Sequence, residues 1–180
     1  MRKPFLLAIA CCSAVLSFGQ ATLQGIINDY TTVTGFGACP VELTVTDASA
    51  FGAGDAILVY QAVGASINTG NSGFYGDVTT VGNAGKYERA EIDSVVGNTL
   101  WLNAALTNTY SINKTQVVRI PHYNGATVVG NVEAQAWNGQ TGGVVALEVS
   151  GTLTLQADIG ASGKGFAVKN RGNGLWFVRL

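Results

Sequence analysis

Histidine and cysteine are nearly missing from this chain: its 180 residues include one histidine, His122, and three cysteines, Cys11, Cys12 and Cys39. A zinc centre commonly draws on several His or Cys ligands, and a nucleophilic dyad needs a positioned base, so neither can be assembled from this set. No catalytic residue, metal or cofactor is expected. Charge is scarce too, with Asp, Glu, Lys and Arg at 12% and a formal net charge of −1. That balance removes the electrostatic case for nucleic acid or an anionic membrane as partner. Proline is rare at 3 residues, against 24 glycines and 47% hydrophobics. The composition excludes disorder and describes a β-rich, turn-rich chain. No apolar run reaches the roughly 20 residues of a membrane-spanning helix.

What is present begins with a processing signal. Arg2 and Lys3 precede an apolar core over 5–16, and Ser17-Phe18-Gly19 puts small residues at the two positions a signal peptidase inspects. Residues 1–19 therefore read as a secretory signal peptide, and the product is expected to be extracellular. Removing that segment takes Arg2 and Lys3 with it and leaves 8 basic against 11 acidic residues. Cys39 is then the sole thiol, so it makes no internal disulfide. With no basic group nearby to activate it, it reads as buried and inert.

Along the mature chain, short strands dominate. Residues 21–34, with Leu23, Ile26, Ile27, Tyr30 and Val33, favour one extended strand. Val41, Leu43 and Val45 alternate with Glu42, Thr44 and Thr46, and a further strand covers 56–61 after a turn containing Phe51 and Gly54. Residues 64–85 are glycine-rich and irregular, longer than an ordinary loop. Segments 86–96 and 99–106 form a hairpin across Gly97-Asn98, with Trp101 facing away from Leu100 and Leu102. Pro121 ends the strand over 116–120 and leaves His122 as a turn residue. These pieces make a small antiparallel barrel or sandwich over 20–125.

From there the pattern changes. Residues 144–159, VVALEVSGTLTLQADI, alternate apolar and polar for longer than one strand should, bending at Gly151. Sliding back 21 positions sets Ala126, Val128, Gly130 and Val132 on Leu147, Val149, Gly151 and Leu153. Two such segments read as successive turns of a right-handed parallel β-solenoid over 126–166, each burying its face only by stacking on the next. The spacing fails in 167–180, where Asn170 and Gly174 take apolar positions. That stretch reads as an irregular tail where a longer protein has been cut short. The fold class is thus all-β, a small barrel or sandwich leading into a solenoid.

Candidate binding residues are few. Tyr75 in the irregular loop, Trp101 on the hairpin and Trp137 at a solenoid corner are the aromatic groups available to a glycan. The polar outer ladder Thr152, Thr154, Gln156 and Asp158 equally fits a solvated solenoid face.

The residues also carry a resemblance. INDYTTVT (27–34), LTVTDASAFGAGDAILVYQ (43–61), AGKYERAEIDSVVGNTLWL (84–102), VVRIPHYNGATV (117–128) and AWNGQTGGVVALEVSGTLTLQADIGASGKGF (136–166) make the chain similar to the N-terminal region of large secreted, adhesin-like proteins of gliding bacteria exported by the type IX route. The resemblance implies a cell-surface structural or adhesion module that meets extracellular polysaccharide or other surface components. A glycan-binding module, or a non-catalytic part of a polysaccharide-processing enzyme, is the alternative.

Overall fold

The computed structural model describes residues 20–166. The expected signal peptide 1–19 and the tail 167–180 lie outside the described residues. Every regular element described is a strand. In chain order these are β1 (Ala21–Gly25), β2 (Tyr30–Phe36), β3 (Glu42–Val45), β4 (Ala56–Gln61), β5 (Ser66–Ile67), β6 (Val78–Thr80) and β7 (Tyr87–Val96). They continue with β8 (Thr99–Leu102), β9 (Thr115–Ile120), β10 (His122–Tyr123), β11 (Ala126–Glu133), β12 (Glu148–Val149), β13 (Leu153–Leu155) and β14 (Ile159–Gly160). The protein is all-β.

Six strands close a barrel in the order β2-β3-β8-β7-β4-β9, with β9 returning to β2 and every pair antiparallel. The choice between barrel and sandwich is settled by that closure, which leaves no free edge among these strands. Alternation explains the interior: Val33, Leu43, Val45, Ile57, Val59, Ile92, Leu100 and Val117 point inward and are almost wholly buried. The β7–β8 hairpin turns on Gly97-Asn98, Gly97 at φ +58°, and brings Ile92 opposite Leu102 and Val95 opposite Leu100. Phe51 plugs one end, and Gly54, at φ +84°, donates its N–H to the Ile92 carbonyl at 2.7 Å. Within 64–85, β5 and β6 pair as a short ribbon whose strand residues are all exposed.

A second body is built from parallel rungs. Ala21, Thr22 and Leu23 of β1 pair with Ala126, Thr127 and Val128 of β11, which pair in turn with Leu153, Thr154 and Leu155 of β13. Val132 and Glu133 continue onto Ile159 and Gly160 of β14, and β10 pairs in parallel with β12. Leu23, Ala126, Val128 and Val132 form its buried core. The parallel coil is therefore real, but its repeat is 27 residues along the β11–β13 and β11–β14 stack instead of 21. Val128 lies over Leu155 and not over Val149, whose parallel partner is Tyr123.

Residues 21–34 are not one strand. β1 belongs to the coil and β2 to the barrel, so the barrel is inserted between the first rung and the second, and the coil begins before residue 126. Gly151 marks the close passage between rungs: a Cβ there would stand 2.2 Å from the Asn124 carbonyl oxygen. Glycine is required at that point for space, not for an unusual φ.

Side chains join the two bodies. Segment 142–146 runs beside the barrel without belonging to a strand. Gln116 accepts from the Gly142 N–H at 2.8 Å and donates to its carbonyl at 3.0 Å. Tyr30 donates to the Val144 carbonyl at 2.5 Å. Asn28 accepts from the Ala146 N–H at 3.1 Å and donates to its carbonyl at 2.5 Å. Alternate residues are thus held as a strand ladder would hold them, with amides and a phenol in place of a second backbone. Burial keeps the Tyr30 phenol above its ordinary pKa, although the Gln135 N–H pulls the other way, so it remains a donor.

Candidate functional site

An open groove of about 510 Å³ runs along the seam where barrel and coil meet. Its floor follows from strand register. Ala56 pairs with Glu91 of β7 on one side and with Ile120 of β9 on the other. Directly opposed residues share a face, so Glu91, Ala56 and Ile120 form one outer row of the barrel. The adjacent outer row is Arg89, Leu58 and Val118. Because Ala56 is small, the row sinks at its centre. Ile27, Pro121 and Tyr123 form the opposite wall.

The charged groups are positioned by pairing. Arg89 reaches across the seam to Glu148 of β12, Nε to Oε1 at 2.6 Å and Nη2 to Oε2 at 3.1 Å. That hydrogen bond holds the Glu148 carboxyl below the usual range, against the effect of burial and with help from the charges of Arg89 and His122. Arg119 is clamped onto Asp29, with Nε at 2.7 Å from Oδ2 and Nη2 on the same oxygen. In both pairs the bonds use Nε and Nη2 and leave Nη1 outside them. Asp55 receives the Gly52 N–H on Oδ2 at 2.7 Å, which fixes the turn before β4. Glu91 is exposed at the mouth; its carbonyl accepts from the Asn103 N–H at 3.1 Å, while its carboxylate enters no hydrogen bond or ion pair and acts on Arg89 by charge alone.

His122 sits in a strand and not in a turn: it pairs with Glu148, and its Nε2 lies 2.6 Å from the Ser150 hydroxyl. Pro121 ends the barrel ladder, but β10 then starts a coil rung instead of a loop. Cys39 is exposed, contrary to the buried position expected, because the turn between β2 and β3 lies outside the barrel. Among the described residues, no group of three or more His, Cys, Asp or Glu could hold a metal ion.

The three aromatic candidates occupy three separate elements. Tyr75 is exposed in the turn between β5 and β6, and Trp101 projects from β8 beside Glu42 and Ser94. Trp137 follows β11 and meets Phe166 edge-on, ring centres 5.8 Å apart. None of them lines the groove. The sequence pattern singles out neither Arg89 nor Arg119, whose local signals are only alternation along β7 and a cation at the end of β9.

Comparison with known proteins gives no matching family model and no match among curated proteins. Among solved structures, similar folds include the Gp54 tailspike of Acinetobacter baumannii bacteriophage AP22 in complex with A. baumannii capsular saccharide, at 16% identity, TM-score 0.36 and 73% coverage of this chain. The tailspike gp61 of Pseudomonas phage phi297 matches at 16% identity, TM-score 0.34 and 74% coverage. The tailspike gp49 of Pseudomonas phage LKA1 matches at 15%, 0.33 and 81%. The matched region spans 22%, 19% and 24% of those three chains.

Proposed function

We propose that this chain is a non-enzymatic structural module of a secreted cell-surface adhesin, with the coil as scaffold, the barrel as display head and extracellular polysaccharide as partner. The observation that carries the reading is the pairing of β1 with β11 across the inserted barrel, which lets a parallel scaffold present a closed domain without interrupting its own stack. The groups along the seam support a structural role. Both arginines are held in ion pairs and His122 is engaged by Ser150: Arg89–Glu148 fastens the barrel to the coil, Arg119–Asp29 ties β9 to the start of β2, and His122–Ser150 braces the coil itself. The similarity of segments 27–34, 43–61, 84–102, 117–128 and 136–166 to type IX-exported adhesins supports the extracellular setting. Among the described residues no helix is long and apolar enough to cross a membrane.

Antibody raised against the barrel, applied to intact cells that make the protein, is expected to label them. Deleting the gene is expected to reduce attachment to polysaccharide-coated surfaces. A protein found only inside the cell would overturn the assignment.

A further inference from the structure

We infer that the seam groove is a binding site for a neutral saccharide, read through Glu91, Asp55, Arg89 and Arg119. The inference rests on the polysaccharide-facing reading and supplies the site and ligand class that reading leaves open. A volume of about 510 Å³ accepts one or two sugar rings and falls in the usual range for ligand sites. The seam also makes the groove rigid. Its barrel wall belongs to a closed sheet, and its coil wall is tied to that barrel by Arg89–Glu148, Gln116 and Asn28. A site held this way loses little freedom when a ligand enters.

The polar groups decide the class. An acidic sugar needs an uncommitted cation, but both guanidiniums are already neutralised, Arg89 by Glu148 and Arg119 by Asp29. It would also meet the Glu91 and Asp55 carboxylates, both of which line the groove. A small cation finds too few ligands: no group of three or more His, Cys, Asp or Glu among the described residues could hold a metal ion. What the groove offers is acceptors on Glu91 and on Asp55 Oδ1, beside N–H donors on Nη1 of the two arginines. A sugar hydroxyl is donor and acceptor at once, so adjacent hydroxyls can give their protons to carboxylates and take N–H bonds on the same oxygens. Tyr123, Pro121 and Ile27 give the opposite wall an apolar surface for the C–H face of a ring.

The test is titration calorimetry on the protein with cellohexaose, mannohexaose and hexagalacturonate as probes. At least one neutral probe is expected to bind, and at least tenfold more tightly than hexagalacturonate. Glu91→Ala should weaken that binding about tenfold or more, the effect of losing a charged hydrogen-bond partner. The Glu91 carboxylate is exposed and makes no hydrogen bond or ion pair, and the backbone bonds of residue 91 are kept by alanine, so the variant should fold, and circular dichroism checks this. Trp101→Ala, on another face of the barrel, should bind as the wild type does. Preference for hexagalacturonate overturns the inference. Neutral binding that survives Glu91→Ala but is lost in Trp101→Ala removes the groove and spares the polysaccharide partner. Absence of binding to all three probes counts against both, while surface labelling still tests the display role independently.

Discussion

The barrel and the coil use the same alternation of apolar and polar residues and reach opposite outcomes. In the barrel, six strands close on themselves, and thirteen buried residues pack into one core. In the coil, four buried residues suffice for β1 and β11, while Leu153 and Leu155 on the next rung are 36% and 61% exposed. Leu155 pairs with Val128, which is fully buried, so residue type does not cause the difference. Its cause is position. A closed sheet supplies neighbours on both sides of every strand, whereas a parallel coil covers a rung only where another rung stacks on it, and among the described residues β13 pairs with β11 alone.

The sharpest way to break this comparison is to make the same deletion in both bodies. Val59 in the barrel and Val128 in the coil are both at 0% exposure. Val59→Ala is expected to cost about 2–3 kcal/mol, the transfer term for lost methyl groups plus a cavity that a closed barrel cannot collapse. Val128→Ala should cost about half as much, because the adjoining β13 rung, whose residues are exposed, can settle into the space. Urea unfolding followed by tryptophan fluorescence measures both. Equal losses would mean that the coil is as rigid as the barrel.

The next prediction concerns the join. Gln116 is 1% exposed, and its amide satisfies both the N–H and the carbonyl of Gly142. Gln116→Ala leaves two backbone groups unpaired beside the barrel, a cost of about 1–3 kcal/mol. Gly142 itself cannot be exchanged to compensate: its φ is +113°, and a Cβ would stand 2.7 Å from the Ala136 carbonyl. Hydrogen exchange should show faster exchange at Gly142 and its neighbours, with the barrel amides unchanged. If barrel and coil amides accelerate together, the two bodies unfold as one unit.

The same contrast explains what could be read from the sequence. Barrel strands were legible because each is bounded locally: Gly97-Asn98 turns β7 into β8, Pro121 stops β9, and Leu43 and Val45 alternate with Thr44. The coil was legible as a parallel stack but not in its register. Offsets of 21 and 27 differ by an even number, so either one keeps inward residues on inward residues, and alternation cannot choose between them. The choice is made by distant features: the Gly151 passage beside Asn124, and the Asn28 and Gln116 clamps on 142–146. The role of β1 was hidden for a related reason, since its partner Ala126 lies more than a hundred residues away. The groove was hidden most deeply. It is assembled by β4, β7, β9, β10 and β12: residues 119–123 supply one run, and the rest come from Ile27, 54–56, Arg89 with Glu91, and Glu148, which lie far apart along the chain.

The smallest effect separates the two bodies by their electrostatics. Glu88 belongs to the barrel alone: burial would raise its pKa, but the N–H and hydroxyl of Thr107 and the N–H of Asn108 outweigh burial and hold the carboxyl below the usual range. Glu148, which crosses the seam, is lowered mainly by Arg89. A carboxyl with a lowered folded-state pKa contributes stability above its unfolded pKa, and that contribution disappears as pH falls through the folded value. Acid should therefore weaken both sites below about pH 4. Salt distinguishes them. The Arg89–Glu148 pair is solvent-exposed and worth about 0.2–1 kcal/mol, a contribution screened at roughly 1 M salt. The partners of Glu88 are uncharged, so its bonds should persist. Urea midpoints of Glu148→Gln and Glu88→Gln at neutral pH, in low and high salt, give the readout: the Glu148→Gln deficit should shrink with salt and the Glu88→Gln deficit should not. If the Glu148→Gln deficit is unchanged by salt, shape and hydrogen bonds hold the coil against the barrel, with no measurable help from charge.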